Sequence, residues 1–517
     1  MDRKKEGSAP ARPLPGTQEA EDARLALHGG SPVRRTPWPT YDKGAVFVHP
    51  EDEEAALRAI RSHLYFRYDY RAQQETECGK FEEELCRYFG SKHALAVSSG
   101  TTALALAIMA AGIPQGSLIA CPGFTFVATP SAIVLAGCTP LLVEVDENLH
   151  MDLADLRRRW TPEIKGILVV HMRGFAADME ALTRFAAEMG VPVFEDAVPA
   201  LGAELKGRKL GTFGIAGAFS TQSDKSLNCG EGGFLVTDDS TLFARAVVLS
   251  GAYEGRLRRH FPDGEPPIST DLDLPLLSFR MDEIRAALLR AEMERLPIRL
   301  QRFRSNYAYV SAALSDLTEI AIRQPVAPGA YLGEAFIFRV PGGDAKWFAH
   351  ALCCEGIDAR NLGSDEDTNV RVFWNWRFMF DTKDVATIKA LLPDTKRYLE
   401  EAVDIPLSSS LSAEDCDHLV KAVRKVAGAV GPDRRRPDAA RDGRRNGRDH
   451  APDGQGAGRQ GEPAPATAAA PAPATAAASA PAPVPATVAA SAPAPVPATA
   501  AAPVTAAADT VRAGQGR

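Results

Sequence analysis

Ala218-Phe219-Ser220-Thr221-Gln222-Ser223-Asp224-Lys225-Ser226-Leu227-Asn228-Cys229-Gly230-Glu231-Gly232-Gly233 sets one amine between a short apolar run and a glycine-rich loop. Lysine is a nucleophile toward carbonyl compounds and, once released from the imine, a proton shuttle, provided its pocket keeps part of it deprotonated. What Lys225 does therefore depends on what the fold brings beside it.

Working outward, short β-branched or aliphatic runs recur at His93 to Val97, Ser117 to Cys121, Leu141 to Val145, Gly166 to His171, Val191 to Glu195 and Ala216 to Ser220. Helical patterns lie between them at Thr101–Ala111, Thr129–Ala136, Leu153–Arg159 and Met179–Glu188. Strand–helix alternation of this kind predicts an α/β fold with a mostly parallel sheet covered by helices on both faces. Ligands of such sheets bind beyond the carboxyl ends of the strands. A stripe of Ile284, Ala287, Leu288 and Ala291 predicts a long helix from Met281 to Leu296 leading toward a smaller domain. There the pattern is mixed: a strand at Glu334 to Val340, a helix at Ala345 to Cys354, an aromatic run from Phe373 to Phe380, and a closing helix from Ala413 to Val426 with Ser412 as N-cap.

The expected organisation is a flexible lead over residues 1–25, an N-terminal segment and large domain over 26–296, a small C-terminal domain over 297–430, and a tail over 431–517. The tail is first dense in arginine, aspartate and glycine, then in alanine and proline, and Ala478 to Thr487 recurs unchanged at Ala490 to Thr499. Such sequence buries too little apolar surface to offset its ordering entropy, so a disordered tail is expected. The formal net charge of -7 over 517 residues gives no reason to expect nucleic acid or an anionic membrane as partner. Eight cysteines without CxxC spacing disfavour a zinc site and a secreted disulfide framework. With a charged start and no apolar spanning segment, a cytoplasmic protein is expected.

The candidate partners of Lys225 all fall at predicted strand ends. Val97-Ser98-Ser99-Gly100-Thr101-Thr102 turns from strand to helix through glycine, and helix N-terminal amides with two threonine hydroxyls suit a phosphate. Taken alone, such a turn usually just caps a helix. Asp196, after Val193-Phe194, is the candidate carboxylate for a ring nitrogen, with Glu195 as competitor; side-chain alternation lets only one face the site. Phe126 or Phe124 offers a ring to stack on a cofactor, though either could be core. Ser220, five residues before Lys225, offers a hydroxyl to the phosphate or to backbone. Together these are the parts of a pyridoxal phosphate site, in which the carboxylate keeps the ring electron-withdrawing.

In order and spacing, Ser99-Gly100-Thr101, Pro122 to Phe126, Val169-Val170-His171 with Gly174, Glu195-Asp196-Ala197, and Phe219-Ser220 with Lys225 and Gly230-Glu231-Gly232-Gly233 resemble the DegT/DnrJ/EryC1/StrS aminotransferases. The resemblance spans roughly Leu25 to Val430. It implies the aspartate aminotransferase-like fold-type I, with a smaller α+β C-terminal domain, and a homodimer with shared active sites. Residue by residue it implies that Lys225 binds the cofactor covalently, Asp196 pairs with the pyridinium, Phe126 stacks on the ring, and Gly100, Thr101, Thr102 and Ser220 surround the phosphate. Some wider relatives carry histidine in place of the lysine and act as dehydratases.

Two positions depart from the family pattern. Pro199 stands where members usually carry glutamine or histidine, and it cannot donate a hydrogen bond. Ser278-Phe279-Arg280 stands where they usually read Asn-Tyr-Arg, which puts in doubt whether Ser278 reaches the partner subunit's phosphate. Arg280 and Arg360 are the substrate candidates; Arg280 could equally make a helix-start salt bridge.

The resemblance further implies a ping-pong transfer from glutamate or glutamine to a keto-sugar or cyclitol ketone. The opening Leu25 to Arg34, with Pro37-Trp38-Pro39, is similar to members that build aminocyclitol and other antibiotic precursors. A dehydratase or epimerase on the same fold, or a catalytically inactive homologue, are the alternatives.

Overall fold

The computed structural model describes residues 24–39, 49–72, 76–268, 273–365 and 369–430. The expected lead before Arg24 and the expected tail beyond Val430 lie outside the described residues.

The alternation seen in sequence builds a seven-stranded sheet. Its strands are β1 (His93–Val97), β2 (Leu118–Pro122), β3 (Thr139–Val143), β4 (Ile164–Val170), β5 (Val193–Asp196), β8 (Ala216–Ser220) and β9 (Gly233–Thr237). A small hairpin, β6 (Glu204–Leu205) with β7 (Arg208–Lys209), falls between β5 and β8. The order is β1-β9-β8-β5-β4-β2-β3, parallel throughout except that β9 runs against both neighbours. β9 is absent from the sequence-based set: three apolar residues, Phe234, Leu235 and Val236, directly after a glycine loop carry little pattern of their own.

Side-chain alternation divides the sheet between two cores. Leu95, Val97, Phe194, Ala218 and Leu235 face the helix Gly100–Ala110, while Ala96, Phe219, Phe234 and Val236 face the opposite layer with the helices Glu77–Phe89 and Met179–Met189. The helix Gly100–Ala110 is apolar nearly all round because it is buried nearly all round.

The long helix runs from Glu283 to Ala313, well beyond the Leu296 expected from sequence, and passes through Pro297. Proline removes one backbone donor inside a helix. Leu296, Leu300, Phe303, Tyr307 and Val310 are all buried along one continuing stripe, and that burial outweighs the lost bond. Arg299, two residues after the proline, donates to Glu292 Oε2 at 2.7 Å and to the carbonyl of Ser226, tying this helix to the lysine loop.

Beyond it lies a four-stranded antiparallel sheet, β10 (Ala321–Ile322), β11 (Ala335–Arg339), β12 (Arg360–Asn361) and β13 (Ala402–Pro406), in the order β10-β11-β13-β12. Phe336, Phe338, Val403 and Ile405 pack under the helices Ala345–Cys354 and Ala413–Ala429, the second capped by Ser412 in a capping box with Asp415. The other face turns Ala335, Ile337 and Ala402 toward the core of the large sheet.

Arg24–Pro39, assigned by sequence to the flexible lead and the large domain, packs instead on this smaller sheet's helices. Leu25 is buried among their apolar side chains. The buried carboxylate of Glu355 accepts from Ala26 N at 2.8 Å and Val33 N at 3.0 Å, and pairs with Lys425 at 2.9 Å. A backbone tethered at two amides by one buried anion cannot trail freely. The aromatic run is core: Phe373, Trp374 and Trp376 are buried, and Trp376 Nε1 donates to Val370 O at 2.9 Å. Among the described residues no helix is long and apolar enough to cross a membrane.

Candidate active site

The carboxyl ends of β2, β4, β5 and β8, with the turn after β1, open onto a cleft of about 520 Å³, within the range of small-molecule sites. Lys225, Asp196, Ser220, Thr101 and Phe126 all line it.

At one end, β1 turns into the helix Gly100–Ala110. Ser99 Oγ accepts from Thr102 N at 3.1 Å, and Thr102 Oγ1 accepts from Ser99 N at 3.0 Å. This capping box satisfies two of the amides at the turn. It leaves those of Gly100 and Thr101 with no hydrogen-bond acceptor among the described residues, at the positive end of the helix dipole. The helix start abuts β8 closely: a Cβ on Gly100 would lie 2.8 Å from the Ser220 Cβ, so only glycine lets the amides and the Ser220 hydroxyl converge. Thr102 drops out of the phosphate set. Its hydroxyl hydrogen goes to Ser99 O at 2.8 Å, and it does not line the cleft.

Asp196 follows Phe194 on the cleft side of β5, and Glu195 takes the opposite side. There Glu195 is buried and accepts from His171 Nε2 at 2.9 Å, Gly211 N at 2.7 Å and Gly214 N at 2.6 Å. His171 Nδ1 accepts from Ala177 N at 3.1 Å, so the ring's proton is on Nε2 and the pair is structural. Asp196 accepts from Thr129 Oγ1 at 2.7 Å and from Val198 N at 3.3 Å. Thr125 in turn donates to Thr129 at 2.6 Å. Burial pushes the Asp196 carboxyl above the ordinary aspartate value, against the pull of Thr129, Val198 N, Lys225 and His171. The floor of the cleft thus holds an anion short of positive charge.

Lys225 lies in a loop turned by its own N–H donating to Gln222 O at 2.9 Å and by Asn228 Nδ2 donating to Lys225 O at 3.4 Å. Phe126 is 47% exposed on the cleft wall, whereas Phe124 is fully buried core. Pro199 lines the same wall.

Ser278 and Arg280 lie off this cleft. Arg280 donates to Gly251 O at 3.0 Å and to Ser278 Oγ at 3.4 Å, and its guanidinium stacks 5.3 Å from the Phe66 ring. Arg360 does line the cleft, as do Arg371, Arg173 and Glu334, of which the sequence singled out neither Arg173 nor Glu334 as a site residue. Arg173 follows β4 in the left-handed region, at φ 56°. Arg371 is delivered by an antiparallel bridge between Val372 and Phe124.

Residues 71–424 match the model of the DegT/DnrJ/EryC1/StrS aminotransferase family. This chain belongs to that family. It is 30% identical over 429 residues to the L-glutamine:scyllo-inosose aminotransferase of Streptomyces griseus, covering 78% of this chain and 98% of the relative. It is 33% identical over 303 residues to the L-glutamine:2-deoxy-scyllo-inosose aminotransferase of Micromonospora echinospora, covering 57% of this chain and 69% of the relative. Among solved structures, DesV of S. venezuelae matches with a TM-score of 0.64 at 26% identity, covering 76% of this chain and 99% of that one. The fold is fold-type I, and this DegT/DnrJ/EryC1/StrS member is a pyridoxal phosphate-dependent aminotransferase.

The side chains present fit that cofactor. Two unpaired amides and the Ser220 hydroxyl converge where a phosphate needs donors, and the buried Asp196 carboxyl, raised by burial despite Lys225, suits a protonated pyridine nitrogen beside it.

Proposed function

We propose that this aminotransferase moves the amino group of L-glutamine onto the ketone of a cyclitol of the scyllo-inosose type, in the biosynthesis of an aminocyclitol metabolite. The observation that carries this is the likeness to the Streptomyces griseus enzyme over 98% of that enzyme's length. The cleft's chemistry agrees: the carboxylates of Asp224, Glu231, Glu334 and Asp358 line it together with the guanidinium group of Arg371. Hydroxyl groups of a polyol ring can donate to the former and accept from the latter.

In this reading Lys225 holds the cofactor covalently, Phe126 covers one face of the ring, and the amides of Gly100 and Thr101 with the Ser220 hydroxyl hold the phosphate. Asp196, oriented by Thr129 and Val198 N, keeps the ring nitrogen protonated. Pyridoxal phosphate bound there would supply the electron sink that makes the donor's α-hydrogen acidic. Lys225 Nζ would take up the donor's α-hydrogen as general base, and in the reaction with the ketone its ammonium would give a proton to the carbon that receives the amino group.

The enzyme is further read as a cytoplasmic homodimer. The exposed Tyr70 and Leu276 are the apolar side chains a second copy would cover, and Ser278, which does not line its own cleft, would approach the partner's in such a dimer.

The test is a two-substrate screen on the holoenzyme. L-Glutamine should bleach the cofactor's long-wavelength band and release its 2-oxo acid, and scyllo-inosose should restore the band. Turnover only with nucleotide-linked keto-sugars would contradict the acceptor, and no response to any amino donor would contradict the reading as a whole.

A further inference from the structure

The smaller sheet places two residues directly opposite each other: Arg360 on β12 and Asp404 on β13 are register partners. Asp404 stands on the sheet face turned toward the cleft, between Ala402 and Pro406, while Val403 and Ile405 go into the helix-covered core. Asp404 is fully buried. Its Oδ2 accepts from Arg360 Nε at 2.9 Å and lies 2.8 Å from Arg360 Nη2, and its Oδ1 accepts from Arg173 Nη2 at 2.8 Å. One carboxylate from the smaller sheet therefore fixes two guanidinium groups, one of them borne by the turn after β4 of the large sheet.

The two arginines differ in what they have left. Arg173 is buried, with Glu334 also 3.7 Å from its Nη1. Arg360 is 43% exposed at its side chain, and its Nη1 has no hydrogen-bond partner among the described residues. Its outer edge thus presents donors to the cleft in a direction set by Asp404, and a planar guanidinium so oriented matches a carboxylate.

Besides Asp196, four carboxylates, Asp224, Glu231, Glu334 and Asp358, line the same cleft. Away from the helix start that would hold the cofactor's phosphate, they disfavour a further phosphate dianion or a nucleotide diphosphate, whose extra charge would meet them. A single carboxylate on one oriented guanidinium is the anion this arrangement admits. An amino donor brings such a group on its reacting carbon.

We infer that Arg360 binds the α-carboxylate of the amino donor, and that Asp404 and Arg173 are positioning residues that aim it. Arg360 so defined selects amino acids over simple amines as donors. This rests on the aminotransferase reading above, and it names the donor-side contact that reading leaves open. Removing Arg360 takes away a charge-assisted contact made with the donor alone, so half-saturation for the donor should rise on the order of 10- to 100-fold.

The experiment follows the single-turnover reaction of holoenzyme with L-glutamine and with L-glutaminamide, whose α-carboxylate is replaced by a neutral amide, and the return reaction with scyllo-inosose. Expected for Arg360→Gln is weaker half-saturation by L-glutamine, unchanged half-saturation by L-glutaminamide, and an unchanged response to scyllo-inosose. Arg360→Lys should recover part of the loss. Asp404→Asn should shrink the preference for glutamine over glutaminamide, and adding it to Arg360→Gln should shrink it no further. An equal loss for both donors, or a loss confined to scyllo-inosose, overturns the assignment. Wild-type holoenzyme that reacts with neither donor overturns the aminotransferase reading together with it; wild-type holoenzyme that reacts while Arg360→Gln matches it overturns this inference alone.

Discussion

Replacing Asp196 by asparagine separates two consequences of one buried carboxylate. In the cofactor-free protein the anion is held by Thr129 Oγ1 at 2.7 Å and Val198 N at 3.3 Å, and burial raises its pKa. A carboxyl whose folded pKa lies above the unfolded one lowers stability as pH rises from the unfolded value through the folded one. That penalty is complete once the pH exceeds the folded value. Asparagine can keep the Thr129 bond through its oxygen but turns an amide toward the Val198 N–H, which costs about 1 kcal/mol. Removing a buried, under-compensated charge exceeds that, so the cofactor-free variant should melt higher than wild type at pH 7. With cofactor the sign reverses. Loss of one member of a buried charge pair costs about 2–5 kcal/mol, or roughly 30- to 3,000-fold in affinity. Cofactor titration by absorbance, with paired thermal melts, reads both effects. A variant that melts lower without cofactor and binds it within threefold of wild type would refute the assignment of Asp196.

Three further outcomes follow from the geometry. Gly100→Ala should weaken cofactor binding with little loss of helix propensity, because the new Cβ meets Ser220 at 2.8 Å and forces the helix start away from β8; equilibrium titration with pyridoxal phosphate checks this. Thr102→Ala should lower stability by about 1 kcal/mol through the broken capping box, read by chemical denaturation, and leave cofactor affinity near wild type, whereas Ser220→Ala should do the reverse. For Asp404, burial pushes the carboxyl up, but the charges of Arg173 and Arg360 more than offset this and hold it down at about 2. The contribution of roughly 2 kcal/mol is present above pH 4 and is lost as pH falls from about 4 through about 2. The gap in denaturation midpoint between wild type and Asp404→Asn should accordingly narrow over that interval.

What the sequence made legible was local. Runs such as Val193-Phe194 and Ala216 to Ser220 alternate with helical stripes, and the glycine turns beside them marked the strand ends in the neighbourhood of Lys225. Alternation alone separated Asp196 from Glu195, as the opposite hydrogen bonds of the two now bear out.

What stayed hidden depends on residues far apart in the chain. Arg173 meets Asp404 across 231 residues, and Glu355 ties down Ala26 across 329. No spacing rule reaches that far. The end of the long helix was legible: Leu296, Leu300, Phe303, Tyr307 and Val310 keep helical spacing straight through Pro297. Thr102 shows the converse, since a hydroxyl suited by type to phosphate is taken up by the cap that shapes the turn.

The most direct test of the account is a single-turnover measurement on Lys225. Cofactor-loaded wild type mixed with L-glutamine should lose its long-wavelength absorbance and release one equivalent of 2-oxo acid. Lys225→Ala, with pyridoxal phosphate supplied, should still retain the cofactor through the helix start and Asp196 but exchange the donor's α-hydrogen with solvent deuterium at least 1,000-fold more slowly, on the order of the loss expected when a general base is removed. Exchange and 2-oxo acid release at rates near wild type in Lys225→Ala would contradict the central claim.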